Sequence, residues 1–169
     1  MNLLHNNTLG IDIGSTTVKI AVLDSEHHML FTDYERHYAN IQETLALLLS
    51  RAKEKLGEMT VSPSITGSGG LTLSGHLEVP FTQEVVAVAT ALQDYAPQTD
   101  VAIELGGEDA KIIYFTGGID QRMNGICAGG TGSFIDQMAS LLQTDASGLN
   151  EYAKNYQMIY PIAARCGVF

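Results

Sequence analysis

The sequence predicts an α/β protein that consists of one complete lobe and the beginning of a second. Two observations predict this class. Short apolar strands alternate with amphipathic helices, and the whole pattern restarts at an offset of 92 residues, from Leu9 to Val101. At that offset residues 9–14 align with residues 101–106 without a gap. We therefore expect a first lobe over 1–98 and the opening of a second over 99–169.

In the first lobe, apolar runs separated by glycine turns predict strands, and longer stripes of spaced leucines and alanines predict helices. Asn40 is a suitable N-cap and Gly57 a suitable residue beyond a helix C-terminus. The expected strands are residues 9–14, 16–23, 29–37 and 64–66, and the expected helices are residues 41–56 and 83–95.

The second half repeats the order of strand, turn, strand, strand and helix. Its turns are rich in glycine, which permits tight turns and close approach of the backbone to a ligand. The expected strands are residues 101–105, 110–115 and 119–126, and the expected helices are residues 133–142 and 147–156.

Composition excludes several functional classes. The chain has 169 residues, with 9 Lys and Arg against 19 Asp and Glu, for a net charge of −10. This acidic balance argues against nucleic-acid binding, which needs a basic surface. Residues 1–8 lack the charge and apolar core of a signal peptide, and no apolar run is long enough to cross a membrane. We expect a soluble, cytoplasmic protein.

The repeated motif is a strand with an acid near its end, followed by a glycine turn. The acid is Asp12 in the first copy and Glu104 in the second. Such turns expose backbone N–H groups that bind anions, and carboxylates bind Mg²⁺ through water. Two such hairpins facing each other would hold a polyphosphate and its metal from both sides. The binding candidates are Gly14, Ser15, Thr16, Thr17, Lys19, Gly106, Gly107, Asp109 and Lys111.

The acids of these turns are the catalytic candidates. Besides Asp12 and Glu104, the second turn carries Glu108 beside Asp109, and one of these two could position an attacking water. The alternative is that they are ordinary solvated turn acids. Lys19 aligns with Lys111 in the repeat. These two lysines either contact phosphate or end a strand at the surface.

A second glycine cluster, Gly129, Gly130, Thr131 and Gly132, precedes an expected helix. Helix N-termini offer free N–H groups to phosphate, so a ligand contact is favoured here over a plain loop junction. The cluster is not a Walker A loop, because no Lys-Ser/Thr pair follows it. Residues 67–70 are also glycine-rich, but they lack the spacing of a dinucleotide fingerprint.

Cys127 and Cys166 are the chain's two cysteines. Taken alone they favour two buried free thiols, because a metal cluster usually needs four thiolate or mixed ligands. A symmetric dimer would, however, bring four together on its two-fold axis. Residue patterns leave both interpretations open.

These motifs resemble the ATPase activators of 2-hydroxyacyl-CoA dehydratases and the benzoyl-CoA reductase ATPase subunits, the BadF/BadG/BcrA/BcrD-type activases. The resemblance covers nearly the whole chain, and its most specific part is the Cys-Ala-Gly-Gly-Thr-Gly element with a later lone cysteine. The motifs that carry it are residues 9–16, 103–111, 124–132 and 165–166.

The resemblance implies an actin/Hsp70/sugar-kinase-like fold with ribonuclease H-like lobes, which binds ATP or ADP with Mg²⁺. It also implies a homodimer that holds one [4Fe–4S] cluster through Cys127 and Cys166 of each subunit. ATP hydrolysis would drive an electron from a ferredoxin or flavodoxin through the cluster to a dehydratase or reductase.

The chain departs from the smaller activators in several motifs, and residues 104–109 resemble the long activases instead. It has Glu104 where they have Asp and Glu108 where they have Gln. It also lacks an arginine in residues 67–70 and has Val88 in place of a helical histidine. The family continues well beyond the Arg-Cys element, so we expect this chain to be an N-terminal fragment of a longer activase.

Two other functions remain as alternatives. One is a small-molecule kinase of the same fold, acting on a sugar or N-acetylhexosamine, although no convincing catalytic Asp is visible for it. The other is a nucleotide-binding interaction module without turnover.

Overall fold

The computed structural model of the protein describes residues 7–125, 127 and 129–159. The chain divides into two compact units, Met1–Pro97 and Gln98–Phe169. Within the described part, each unit contains its own β-sheet. No helix in these ranges is long and apolar enough to cross a membrane.

The first unit contains, among its described residues, a four-stranded sheet in the order β3-β2-β1-β4. The first three strands form antiparallel pairs, and β4 runs parallel to β1 as an edge strand. The elements are β1 (Asn7–Ile13), β2 (Thr17–Leu23), β3 (Met29–Arg36), α1 (Ile41–Leu56), β4 (Val61–Thr66), α2 (Gly70–Leu77) and α3 (Glu84–Tyr95).

The core of this unit lies between the sheet and α1. Alternate residues of β2 point to it, so that Val18, Ile20 and Val22 are buried while Lys19 is exposed. Helix α1 packs against β2 and β3. Its apolar stripe consists of Leu45, Leu48 and Ala52. These residues belong to the same buried cluster as Ile11, Ile13 and Ile65 of the sheet.

Leu48 tests this packing. It is fully buried, whereas its neighbour Leu47 on the same helix is 44% exposed. We expect Leu48→Ala to lower the free energy of unfolding by about 2–5 kcal/mol, since it leaves a cavity in the core. Leu47→Ala is the matched control and should change it by less than about 1 kcal/mol. Urea denaturation measures both, and equal effects would show that α1 does not dock as described.

The second unit contains an antiparallel sheet in the order β5-β6-β7 within the described residues. Ile113 and Ala139 are buried there, while one face of β5 exposes Val101, Ile103 and Leu105. The elements are β5 (Val101–Leu105), β6 (Ala110–Tyr114), β7 (Asp120–Met123), α4 (Gly132–Leu141) and α5 (Ala146–Lys154).

Most sequence-based element predictions are confirmed, including the α/β class and the hairpin of β1 with β2. Three differ. Helix α2 was not predicted at all, and β4 begins at Val61 rather than at residue 64. The predicted strand 119–126 is shorter, because β7 ends at Met123. Ile126 and the chain from residue 160 lie outside the described residues.

Candidate functional site

The acid of each repeat lies opposite a lysine on the neighbouring strand. Asp12 pairs in register with Lys19, and the Lys19 Nζ donates to Asp12 Oδ2 at 2.7 Å. Glu104 pairs in register with Lys111, whose Nζ lies 3.5 Å from Glu104 Oε1. The sequence offset therefore places chemically equivalent ion pairs at equivalent positions of the two sheets.

The turns that follow these acids are closed in the same way. The Gly14 N–H donates to the Thr17 carbonyl at 2.9 Å, and the Gly106 N–H donates to the Asp109 carbonyl at 2.7 Å. The other predicted turn residues lie inside these loops. Among them Ser15 and Glu108 are exposed, whereas Thr16 and Gly107 are partly buried.

The two ion pairs differ in burial. The Lys19 side chain is 51% exposed, but that of Lys111 is only 9% exposed. The interpretation of Lys111 as a lysine that ends a strand at the surface is therefore wrong. A buried ammonium needs a charged partner, and Glu104 is one. The other carboxylate oxygen, Glu104 Oε2, is buried and has no hydrogen-bond partner among the described residues. A buried oxygen of this kind costs free energy unless a ligand satisfies it.

The carboxylate of Asp12 is approached closely by the backbone of a second loop. Gly67 has φ +93°, and a Cβ there would lie 2.3 Å from the Ile13 carbonyl oxygen and 2.6 Å from Asp12 Oδ1. The Gly69 N–H donates to the same Ile13 carbonyl at 2.9 Å. Thr66, the parallel register partner of Asp12, has a buried Oγ1 that finds no hydrogen-bond partner within the described part of the chain. No sequence pattern predicted this contact of the Gly67 loop with Asp12.

The His37 side chain forms a hydrogen bond with the first acid–glycine turn. It is buried, its Nδ1 accepts from the Ala39 N–H at 3.0 Å, and its Nε2 lies 3.2 Å from the Gly14 carbonyl oxygen. Because Nδ1 is an acceptor, the proton of the neutral ring is on Nε2 and is donated to Gly14. In the sequence, His37 is only the last residue of an expected strand, and nothing in its neighbours indicates this contact.

Gly67→Ala tests the close approach to Asp12. Positive φ alone costs a non-glycine residue roughly 1–3 kcal/mol, and here a Cβ also meets backbone atoms that cannot turn aside. Gly57→Ala is the matched control, because Gly57 has φ +78° with nothing within 4 Å of its Cβ position. In urea denaturation Gly67→Ala should be the more destabilising of the two. Equal losses would mean that the backbones are not in contact.

The glycine cluster before α4 makes its hydrogen bonds within the protein. The Gly132 N–H donates to the Gly106 carbonyl at 2.7 Å, and the Ser133 N–H donates to the Gly107 carbonyl at 3.1 Å. A Cβ at Gly132 would lie 3.0 Å from the Gly106 oxygen. These contacts within the protein explain why residue 132 is a glycine. Ligand contact at Gly129, Gly130, Thr131 and Gly132 remains a prediction.

Cys127 lies just before this cluster and is exposed, so the expectation of a buried thiol is wrong for it. Its Sγ accepts from the Gly129 N–H at 3.4 Å. Cys166 lies outside the described residues. Among the residues that are described, no group of three or more His, Cys, Asp and Glu side chains could hold a metal ion.

The profile of the BadF/BadG/BcrA/BcrD ATPase family matches residues 9–169. The activator of lactoyl-CoA dehydratase from Anaerotignum propionicum is 31% identical over 96% of this chain and 64% of its own length. The range of the family match includes both acid–glycine turns and the cysteine loop.

Solved structures agree with this relationship. Component A of the (R)-2-hydroxyglutaryl-CoA dehydratase of Acidaminococcus fermentans is similar with a TM-score of 0.79 and 27% identity, over 96% of this chain and 64% of that one. The activator of the 2-hydroxyisocaproyl-CoA dehydratase from Clostridium difficile, with bound ADPNP, gives 0.76 and 26%, over 96% and 62%. The fold is thus of the actin/Hsp70/sugar-kinase type. The chain spans 62–64% of the length of these relatives.

Proposed function

The chain belongs to the BadF/BadG/BcrA/BcrD ATPase family, and from this we propose that the protein is an ATP-hydrolysing iron–sulfur activator. It transfers a low-potential electron to a 2-hydroxyacyl-CoA dehydratase or a related CoA-substrate reductase. The observation that carries the proposal is the hydrogen-bonded contact between the second acid–glycine turn and the loop of Cys127. This contact joins the second acid–glycine turn, a proposed phosphate-binding turn, to the loop that carries Cys127, a proposed cluster ligand.

The two turns are the proposed contacts to ATP or ADP. Their backbone N–H groups bind phosphate oxygens, and Lys19 and Lys111 neutralise phosphate charge. Ser15, Thr16, Thr17, Gly107 and Asp109 add further polar contacts. The ADPNP bound to the Clostridium difficile activator supports the coarser proposal that this chain binds a nucleotide.

Asp12 and Glu104 are the proposed ligands of Mg²⁺ through water. Their carboxylates are hard oxygen donors, which this ion prefers. Among the described residues, Thr66 Oγ1 beside Asp12 and the Glu104 Oε2 atom are each buried without a hydrogen-bond partner. A hydroxyl can donate to or accept from a water of a hydrated cation, whereas a carboxylate oxygen accepts from one. Glu108 is exposed in the second turn, where it can orient the attacking water.

Cys127 and Cys166 of two subunits are the proposed ligands of one [4Fe–4S] cluster, which supplies one-electron transfer when bound. The exposure of Cys127 fits a cluster that two chains share. The N–H of Gly129 fits it too, since hydrogen bonds to ligand sulfur stabilise the thiolate and tune the reduction potential. The proposed electron donor is a ferredoxin or flavodoxin, and the proposed acceptor is the dehydratase or reductase component.

The test is anaerobic purification of the full-length protein, followed by iron and sulfide analysis, molecular-mass determination and an ATPase assay. We expect a dimer with a brown [4Fe–4S] chromophore and ATP turnover. A colourless protein that converts ATP to ADP only when a sugar is added, with formation of a sugar phosphate, would contradict the proposal and favour a kinase. ATP binding without turnover would contradict it in favour of an interaction module.

A further inference from the structure

Asn124 connects the strand after the second acid–glycine turn to the cysteine loop. Its Oδ1 accepts from the Ala110 N–H at 2.9 Å, and its own N–H donates to the Ala110 carbonyl at 2.9 Å. Its Nδ2 donates to the Cys127 carbonyl at 2.7 Å. One side chain thus bonds both to the first residue of β6 and to the backbone of Cys127.

The loop is also attached at its other end. The N–H groups of Gly132 and Ser133 donate to the carbonyls of Gly106 and Gly107 in the turn itself. Between these two attachments, the Gly129 N–H contacts the Cys127 sulfur. The cysteine therefore lies in a loop that is bonded at both ends to a single hairpin.

We propose that Asn124 is a positioning residue that fixes Cys127 relative to the second acid–glycine turn. A displacement of that turn is then transmitted to the cysteine through the side chain. The inference rests on the proposed function, because the position of Cys127 matters most if its thiolate binds the cluster. The bonds that define it are made entirely between atoms of this chain.

Only an amide suits this position. It offers an acceptor to the Ala110 N–H and a donor to the Cys127 carbonyl from one planar group. An aspartate has the same shape and keeps the acceptor, but it places an oxygen against the Cys127 carbonyl. An alanine loses both side-chain bonds. The two substitutions therefore separate the two halves of the contact.

The experiment compares Asn124→Asp and Asn124→Ala with the unsubstituted full-length protein in its iron-free form. NMR measures the exchange rate of the Ala110 amide and the ¹⁵N heteronuclear NOE of the Cys127 amide. Asn155→Asp is the matched control, because the Asn155 amide also donates to a backbone carbonyl, that of Glu151, but in another segment. Its Ala110 and Cys127 signals should not change.

We expect the Ala110 amide to exchange roughly tenfold faster in Asn124→Ala and to stay near the native rate in Asn124→Asp. The Cys127 NOE should fall in both variants. If the NOE is unchanged in both, or if Ala110 exchange is unchanged in Asn124→Ala, the inference is wrong. If Asn124→Ala does not fold, the NOE in Asn124→Asp decides.

The iron-loaded protein provides a second measurement. After anaerobic reconstitution, both Asn124 variants should release iron to a chelator several-fold faster than the native protein and Asn155→Asp. If the native protein takes up no iron, the proposed function fails. The NMR result then still decides whether Asn124 positions Cys127, so the two failures are distinguishable.

Discussion

Asp12→Asn is expected to lower the rate of ATP hydrolysis on the order of a hundredfold or more, the range typical of removing one preorganised electrostatic group from an active site. Asparagine keeps the size of the side chain, which matters because the Gly67 backbone approaches Oδ1 closely. It removes the charge that would hold Mg²⁺ and weakens the bond to Lys19. That ion pair is partly exposed, so stability should change by less than about 1 kcal/mol.

Steady-state ATPase assays and urea denaturation measure the two effects separately. Asp33→Asn is the matched control, since Asp33 is an acid of the same sheet that pairs with Arg51 at 3.2 Å. Its turnover should remain within a few-fold of native. If Asp12→Asn hydrolyses ATP at the native rate, the acid–glycine turn of the first unit is not part of the catalytic site.

Cys127→Ser is expected to abolish cluster binding while it leaves nucleotide binding intact. Serine is a poor iron ligand, and the cluster would lose one ligand from each subunit of the dimer. The second acid–glycine turn keeps its own hydrogen bond, because that bond is made by backbone groups of Gly106 and Asp109. Iron per dimer should fall to background, and the visible absorption should disappear.

Equilibrium binding of ADP and iron analysis of the same preparation check this prediction. Asp12→Asn provides the complement, since it should keep the cluster and lose hydrolysis. A Cys127→Ser protein that still binds a full complement of iron would remove Cys127 from the ligand set. A protein that loses iron and nucleotide binding together would indicate a folding defect instead.

The parts of the site that were predictable from sequence are those encoded within one hairpin. Asp12 and Lys19 are close in sequence and a tight turn joins their strands, so the repeat alone indicated where the second hairpin would lie. The ion pairs across the two hairpins were not predicted. The family signature identified the cysteine loop in the same way. Neither required knowledge of how distant segments pack.

The parts that sequence reasoning missed depend on contacts between distant segments. Helix α2 begins at Gly70 and contains another glycine, which disfavours a helix locally. Gly70 is packed against Ile65, where a Cβ would come within 2.6 Å of its Cγ2. Strand β4 includes Pro63, which is tolerated because β4 is an edge strand. Gly67 and His37 gained their roles only through the turn that they contact.

The bonds that attach both loops to their hairpins are made almost entirely by the main chain: Gly69 to Ile13, Gly132 to Gly106 and Ser133 to Gly107. Main-chain donors and acceptors are the same whichever side chain is present. Substitution can therefore alter most of this scaffold without moving the turns, as long as glycine stays where backbones touch. This gives a physical reason why solved structures that share only 26–27% of their residues with this chain have the same architecture.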